Sequence, residues 1–110
     1  MSLTLHTTLG FTEAVIDSEG NLNRFYQVAS ILTDDLDLKI IKKEDDFDAI
    51  YWDFFIGHHL LTLHYNIYNG ISLFPAKQTS AKKKENNAVV ELANVVEGKL
   101  MNVDFKKSVA

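Results

Sequence analysis

Four histidines and fifteen acidic residues are the side chains of this 110-residue chain whose spacing could do chemistry. An acid–base pair is the first candidate. Asp53 and His64 flank a Gly57-His58 turn signal, and a hairpin closing there could bring carboxylate and imidazole together on one outer face. A carboxylate in that position raises the histidine pKa and equips it as a general base. Metal binding is the second. His58 and His59 adjoin, and His64 follows five residues after His59. On a strand that odd separation sends His59 and His64 to opposite faces, so a single ion cannot take both without a bulge. No serine or threonine stands out as a nucleophile, and neither a glycine-rich phosphate cradle nor an HExxH spacing occurs. Cysteine is absent, which excludes disulfide frameworks, zinc–thiolate sites and thiol nucleophiles. The expectation is a binding protein with no catalytic residues, no metal and no cofactor, in which Asp53 and His64 face a partner.

The acidic residues cluster. Asp34, Asp35, Asp37, Glu44, Asp45, Asp46, Asp48 and Asp53 put eight of fifteen acids into twenty residues, against Lys39, Lys42 and Lys43. With a strand at 38–43, the 34–37 and 44–48 groups become two lobes roughly 20 Å apart at about 3.3 Å per residue. Such a run is either a solvated surface or a patch that steers a basic protein, raising association rates by ~10–10³-fold. Aromatic residues cluster next to it: eight of the twelve Tyr, Trp and Phe fall between 47 and 75. Tyr51, Asp53, Phe55, Thr62, His64, Ser72 and Phe74 share one strand face, and aromatics with a few charges are typical of a protein-binding hot spot. The competing explanation is that the N-terminal region or a second copy covers them. The basic clusters, Lys82–Lys83–Lys84 and Lys106–Lys107, lack interleaved aromatics. With a net charge of −4 they support nucleic-acid binding only weakly, and no nucleic-acid partner is expected.

Hydropathy patterning places these residues on elements. Leu3, Leu5 and Leu9 alternate with Ser2, Thr4, His6 and Thr8, a strand pattern that Thr12 to Ile16 either extends or follows as a second short strand. Asp17 to Asn21 is a turn cluster. Leu22, Phe25, Ala29 and Leu32 then recur at helical spacing, which predicts a helix over about 21–34 with Asn21 or Asn23 as N-cap. A short strand follows at 38–43. A meander over 47–75 comes next, in which Ile50, Trp52, Phe54 and Ile56 oppose Ala49, Tyr51, Asp53 and Phe55. Asn69-Gly70 predicts a type I′ turn, and Pro75 is expected to end an edge strand. Ser80 is the expected N-cap of a second helix over about 81–101, with the tail loose beyond Phe105. The fold expected is α+β: a two-layer sandwich of a four- to five-stranded, mainly antiparallel sheet with two helices, as a single domain over 1–110.

No basic, apolar leader opens the chain, and no run approaches the roughly 20 apolar residues of a membrane span. The expected location is the cytoplasm. Acidic, free of cysteine, about a hundred residues long, with one open antiparallel sheet and two helices, the chain resembles the small bacterial immunity proteins of polymorphic toxin systems, such as those of contact-dependent growth inhibition. The resemblance spans the whole chain in general design and carries no signature motif, so it assigns no residue. It implies a cytoplasmic protein that binds a cognate toxin domain, often a nuclease with a basic cleft, as a monomer rather than a dimer and without nucleic acid or membrane. Of the residues read above, Asp34, Asp35, Asp37, Glu44, Asp45, Asp46, Asp48, Tyr51, Asp53, Phe55 and His64 would serve that role. A small acidic secretion chaperone binding an effector segment is the alternative, and an enzyme using Asp53 and His64 comes last.

Overall fold

The period-2 stretches of the sequence become six strands of one antiparallel sheet. They are β1 (Thr4–Thr8), β2 (Phe11–Asp17), β3 (Ile40–Asp45), β4 (Ala49–Ile56), β5 (His59–Asn66) and β6 (Gly70–Pro75), in the spatial order β1-β2-β6-β5-β4-β3. Two helices, α1 (Leu22–Ser30) and α2 (Lys83–Val109), complete an α+β architecture. The computed structural model describes residues 3–8, 10–77 and 82–109, with the side chains of all of these but Thr8 and 105–109. Ser2 and Leu9 of the expected first strand, and Ser80 as an N-cap, lie outside the described residues. Among the described residues, no helix is long and apolar enough to cross a membrane.

The sheet has six strands rather than four or five because Gly10, at φ 86°, folds the N-terminal stretch into a hairpin. The crossover through α1 and β3 then lets β6 return beside β2. This overturns the edge position expected from Pro75: β6 is an interior strand. The proline is tolerated because it stands at the strand's last position, where it needs no ladder donor. Pairing of β2 with β6 stops at Ala14↔Leu73. Beyond it, the Thr12 N–H donates to Asn86 Oδ1 of α2 (2.9 Å), and Asn86 Nδ2 donates back to the Gly10 carbonyl (2.8 Å).

Both helices lie on the same sheet face. Trp52, Phe54, Leu61, Leu63, Ile71 and Leu73 meet Phe25, Val28, Val89, Leu92 and Val96 in one buried cluster. Each such side chain contributes about 1.5–3 kcal/mol of burial before the entropy of ordering is subtracted. Phe25 sits edge-on to Trp52 at 5.0 Å. Asn21 caps α1 as the sequence predicts, accepting the Arg24 N–H at 3.0 Å. The α-helix proper ends at Ser30, sooner than expected, and a π-helical turn, Ile31–Asp35, carries the chain on. Asp37 closes that turn in the left-handed region (φ 56°), letting the Leu38 N–H reach the Leu32 carbonyl at 2.8 Å. The third strand is consequently displaced to Ile40–Asp45, so Glu44 and Asp45 belong to β3 and not to a turn.

α2 runs a full two turns beyond the predicted end at Met101, through the tail expected to be loose. Gly98 does not break it. Arg24 holds this extension, pairing with Asp104 of α2 at 3.0 Å and with Asp17 at 3.6 Å. Asp17 faces the helices because a bulge between Val15 and Asp17 shifts the register there. At the other end, the Glu85 carboxylate accepts the Lys82 N–H at 3.1 Å, the reciprocal half of a capping box. Lys83 and Lys84 therefore occupy the first turn, where the helix dipole disfavours cations, instead of lying ahead of the helix.

Candidate protein-binding surface

Strand register assigns the face opposite the helices. Across β5, His64 pairs with Tyr51 on β4 and Ser72 on β6, while Thr62 pairs with Asp53 and Phe74. Both helices pack against the other side, so no described element covers this one. Its own rings roof it instead. His64 stacks on Tyr51 (centroids 4.5 Å, planes at 29°) and tilts against Phe74 at 5.6 Å. Beneath them Thr62 and Ser72 are buried, and Phe74 is buried too. Tyr51, Asp53 and His64 are half-buried, whereas Phe55 is exposed toward one end of the sheet.

The proposed acid–base pair does not form. Asp53 stands opposite Thr62, whose Oγ1 donates to Asp53 Oδ1 at 2.6 Å. His64, two residues along, uses Nδ1–H on the Ile50 carbonyl at 3.0 Å. The reason is registry: closing the hairpin at Gly57-His58 pairs Ile56 with His59, which makes Tyr51, not Asp53, the neighbour of His64. Burial pushes the His64 imidazole below its ordinary pKa of 6.5, with the Ile50 carbonyl and the Glu13 carboxylate opposing that shift. His64 is thus a neutral, ring-stacked side chain at pH 7.

The acidic residues divide by face and by end. Asp34 and Asp35 are exposed on the π-helical turn, Asp35 lying 3.7 Å from Lys99, and Asp37 is the left-handed residue after it. On β3, Glu44 points to the open face opposite Tyr51 and lies 3.7 Å from Lys42. Asp45 points to the helix side, accepting from Trp52 Nε1 at 3.2 Å, next to Lys43, whose ammonium sits 4.2 Å from the Trp52 ring. Asp46 and Asp48 flank Phe47 within the β3–β4 turn. The run of eight acids is thus no single surface. Glu44, Asp46, Asp48 and Asp53 belong to the open face and its end, while Asp34, Asp35, Asp37 and Asp45 have local or helix-side positions.

Sequence reasoning passed over two groups. His59, on the helix side as its parity requires, pairs with Glu85 of α2 at 2.9 Å. Together with Phe55, Leu60, Pro75, Lys77 and Lys82 they line a cleft of about 430 Å³. Glu85 is already occupied as an N-terminal cap, so this contact fastens the start of α2 to the sheet. The second group is Phe47, Ile67 and Tyr68, which are exposed in turns and outside the strand alternation. A phenylalanine between two aspartates, Asp46-Phe47-Asp48, was the available signal. Among the described residues no group of three or more His, Asp or Glu is placed to hold a metal ion. No protein-family model, curated protein or solved structure matches the chain.

Proposed function

We propose that this chain is a protein-binding inhibitor that neutralises a cognate bacterial toxin domain with a basic cleft, a nuclease for instance, in the cytoplasm. The observation that carries the reading is the unsealed sheet face. Tyr51, Asp53, Phe55 and His64 line a surface that the fold's own helices leave uncovered, and Glu44, Asp46 and Asp48 bring negative charge to its border and end. Carboxylates imitate the phosphates that a nuclease cleft is built to hold, and ring faces imitate stacked bases. The stacked Tyr51–His64 pair is fixed before any partner arrives, which lowers the entropic cost of docking. Asp53 and His64 each hold a separate partner, so the pair offers an interface rather than a proton relay.

Co-expression tests the reading. The C-terminal domain of the protein encoded immediately upstream of this gene is produced in a bacterial host with and without this chain. Growth arrest relieved only by the chain, with a one-to-one complex recovered, supports the proposal. A domain that is harmless, or toxic regardless of the chain's presence, sinks it.

A further inference from the structure

Three turns meet at one end of the sheet. Phe47, the middle residue of the β3–β4 turn, is fully exposed, and Ile67 and Tyr68 of the β5–β6 turn are 55% and 75% exposed. The Ile67 N–H donates to the Asp48 carbonyl at 3.2 Å, tying these two turns side by side. Gly70 backs onto the Asp17–Ser18 backbone so closely that a Cβ there would overlap it, which brings the β2–α1 turn alongside. Each turn is closed internally: Asp46 N–H to the Ala49 carbonyl (2.7 Å), Tyr68 N–H to Asn66 Oδ1 (2.7 Å) and Gly20 N–H to the Asp17 carbonyl (3.1 Å). The apolar side chains therefore project from fixed backbone. None of the three joins the core, so their exposure is not a by-product of packing.

Charge identifies what would cover them. Residues 17–20, 46–48 and 67–69 contain Asp17, Glu19, Asp46 and Asp48 and no lysine or arginine. Asp17 is engaged by Arg24, but among the described residues Glu19, Asp46 and Asp48 have no ion-pair partner. Resting on the reading of the chain as an inhibitor of a basic protein, the geometry points to this tip as the anchor of the complex: Phe47, Ile67 and Tyr68 fill an apolar pocket on the partner whose rim carries Lys or Arg. An anionic bilayer is opposed by the same carboxylates, and so is a second copy docking tip to tip.

Selection of a random peptide library on phage against the immobilised full chain tests this with no toxin present. The enriched peptides should combine aromatic or aliphatic residues with Lys or Arg. As synthetic peptides they should bind Phe47→Ser or Tyr68→Ser roughly 30-fold more weakly, bind a variant of the exposed α2 residue Met101, Met101→Ser, unchanged, and weaken with salt. Unchanged far-UV circular dichroism and melting of both variants would exclude misfolding, since neither side chain is in the core. No enrichment, acidic peptides or undiminished binding to Phe47→Ser would overturn the inference. So would Phe47-dependent binding to phosphatidylglycerol vesicles, which assigns the tip to a membrane, or a Phe47-dependent dimer, which assigns it to a second copy. A tip that selects cationic peptides alongside a failed co-expression rescue leaves the anchor standing and removes the toxin. The reverse result removes the anchor alone.

Discussion

Thr62 donates its hydroxyl to Asp53 across the β4–β5 ladder at 2.6 Å, in the middle of the sheet face that no helix covers. The bond makes the Asp53 carboxylate a positioned acceptor. Thr62→Val removes the donor while keeping the shape, leaving a half-buried carboxylate without it. The variant should lose about 1–3 kcal/mol of stability in urea unfolding. Asp53→Asn, which retains an acceptor for Thr62, should lose less. Equal losses would mean that the charge at Asp53, not the bond, matters.

His64 makes stability depend on pH. Its folded pKa lies below the unfolded value of 6.5, so the native state resists protonation while the unfolded chain accepts it. Its contribution is constant above 6.5, falls as pH drops below 6.5, and levels off beneath the folded pKa. His64→Gln should flatten that part of the stability–pH curve relative to wild type, as read by denaturant midpoints across the range. A parallel pair of curves would reassign the dependence to other groups.

Two glycines should differ in sensitivity although both are left-handed. Gly57 (φ 59°) has open space around its α-carbon, so Gly57→Ala should cost only the conformational penalty of about 1–2 kcal/mol. Gly70 (φ 78°) also abuts the Asp17–Ser18 backbone, so Gly70→Ala must push two turns apart and should cost more. Thermal melts of the two variants side by side decide the order.

Asp37 is the one residue other than glycine at positive φ among the described residues. Glycine adopts that conformation without a Cβ penalty. Asp37→Gly should therefore raise stability by up to about 1 kcal/mol, visible as a higher melting temperature. A drop would show that the aspartate side chain itself supports the turn.

If the tip anchors the complex as proposed, electrostatic steering should follow it rather than the whole acidic run. Asp46→Lys with Asp48→Lys should slow association with a basic partner at least ~10-fold at low salt and leave dissociation nearly unchanged. Asp34→Lys with Asp35→Lys, at the separate π-helical turn, should change the rate little. Stopped-flow or surface-based kinetics at two ionic strengths would separate the two pairs.

Local pattern determined much of this molecule. Alternation in 47–75 dictated which of Trp52, Phe54, Leu61 and Leu63 go inward and which of Tyr51, Asp53 and His64 go outward, because side chains on a strand change face at every residue. Asn21 as N-cap and the odd spacing of His59 and His64 were equally legible, since capping and parity are properties of a few adjacent residues. Asn69-Gly70 was legible only as a turn. The structure gives Asn69 no positive φ and builds a three-residue loop, Ile67-Tyr68-Asn69, closed by Gly70 between Asn66 and Ile71. The Tyr68 N–H donates to Asn66 Oδ1 and the Asn69 N–H to the Asn66 carbonyl, and these bonds favour that longer loop. The tertiary structure alone decided what depends on distant pairing: β6 inserting between β2 and β5, α2 continuing to meet Arg24, Asp45 turning to Trp52, and Phe47, Ile67 and Tyr68 converging at one tip. Register and strand order arise from contacts between residues far apart in the chain, and a periodic sequence constrains faces far more tightly than neighbours.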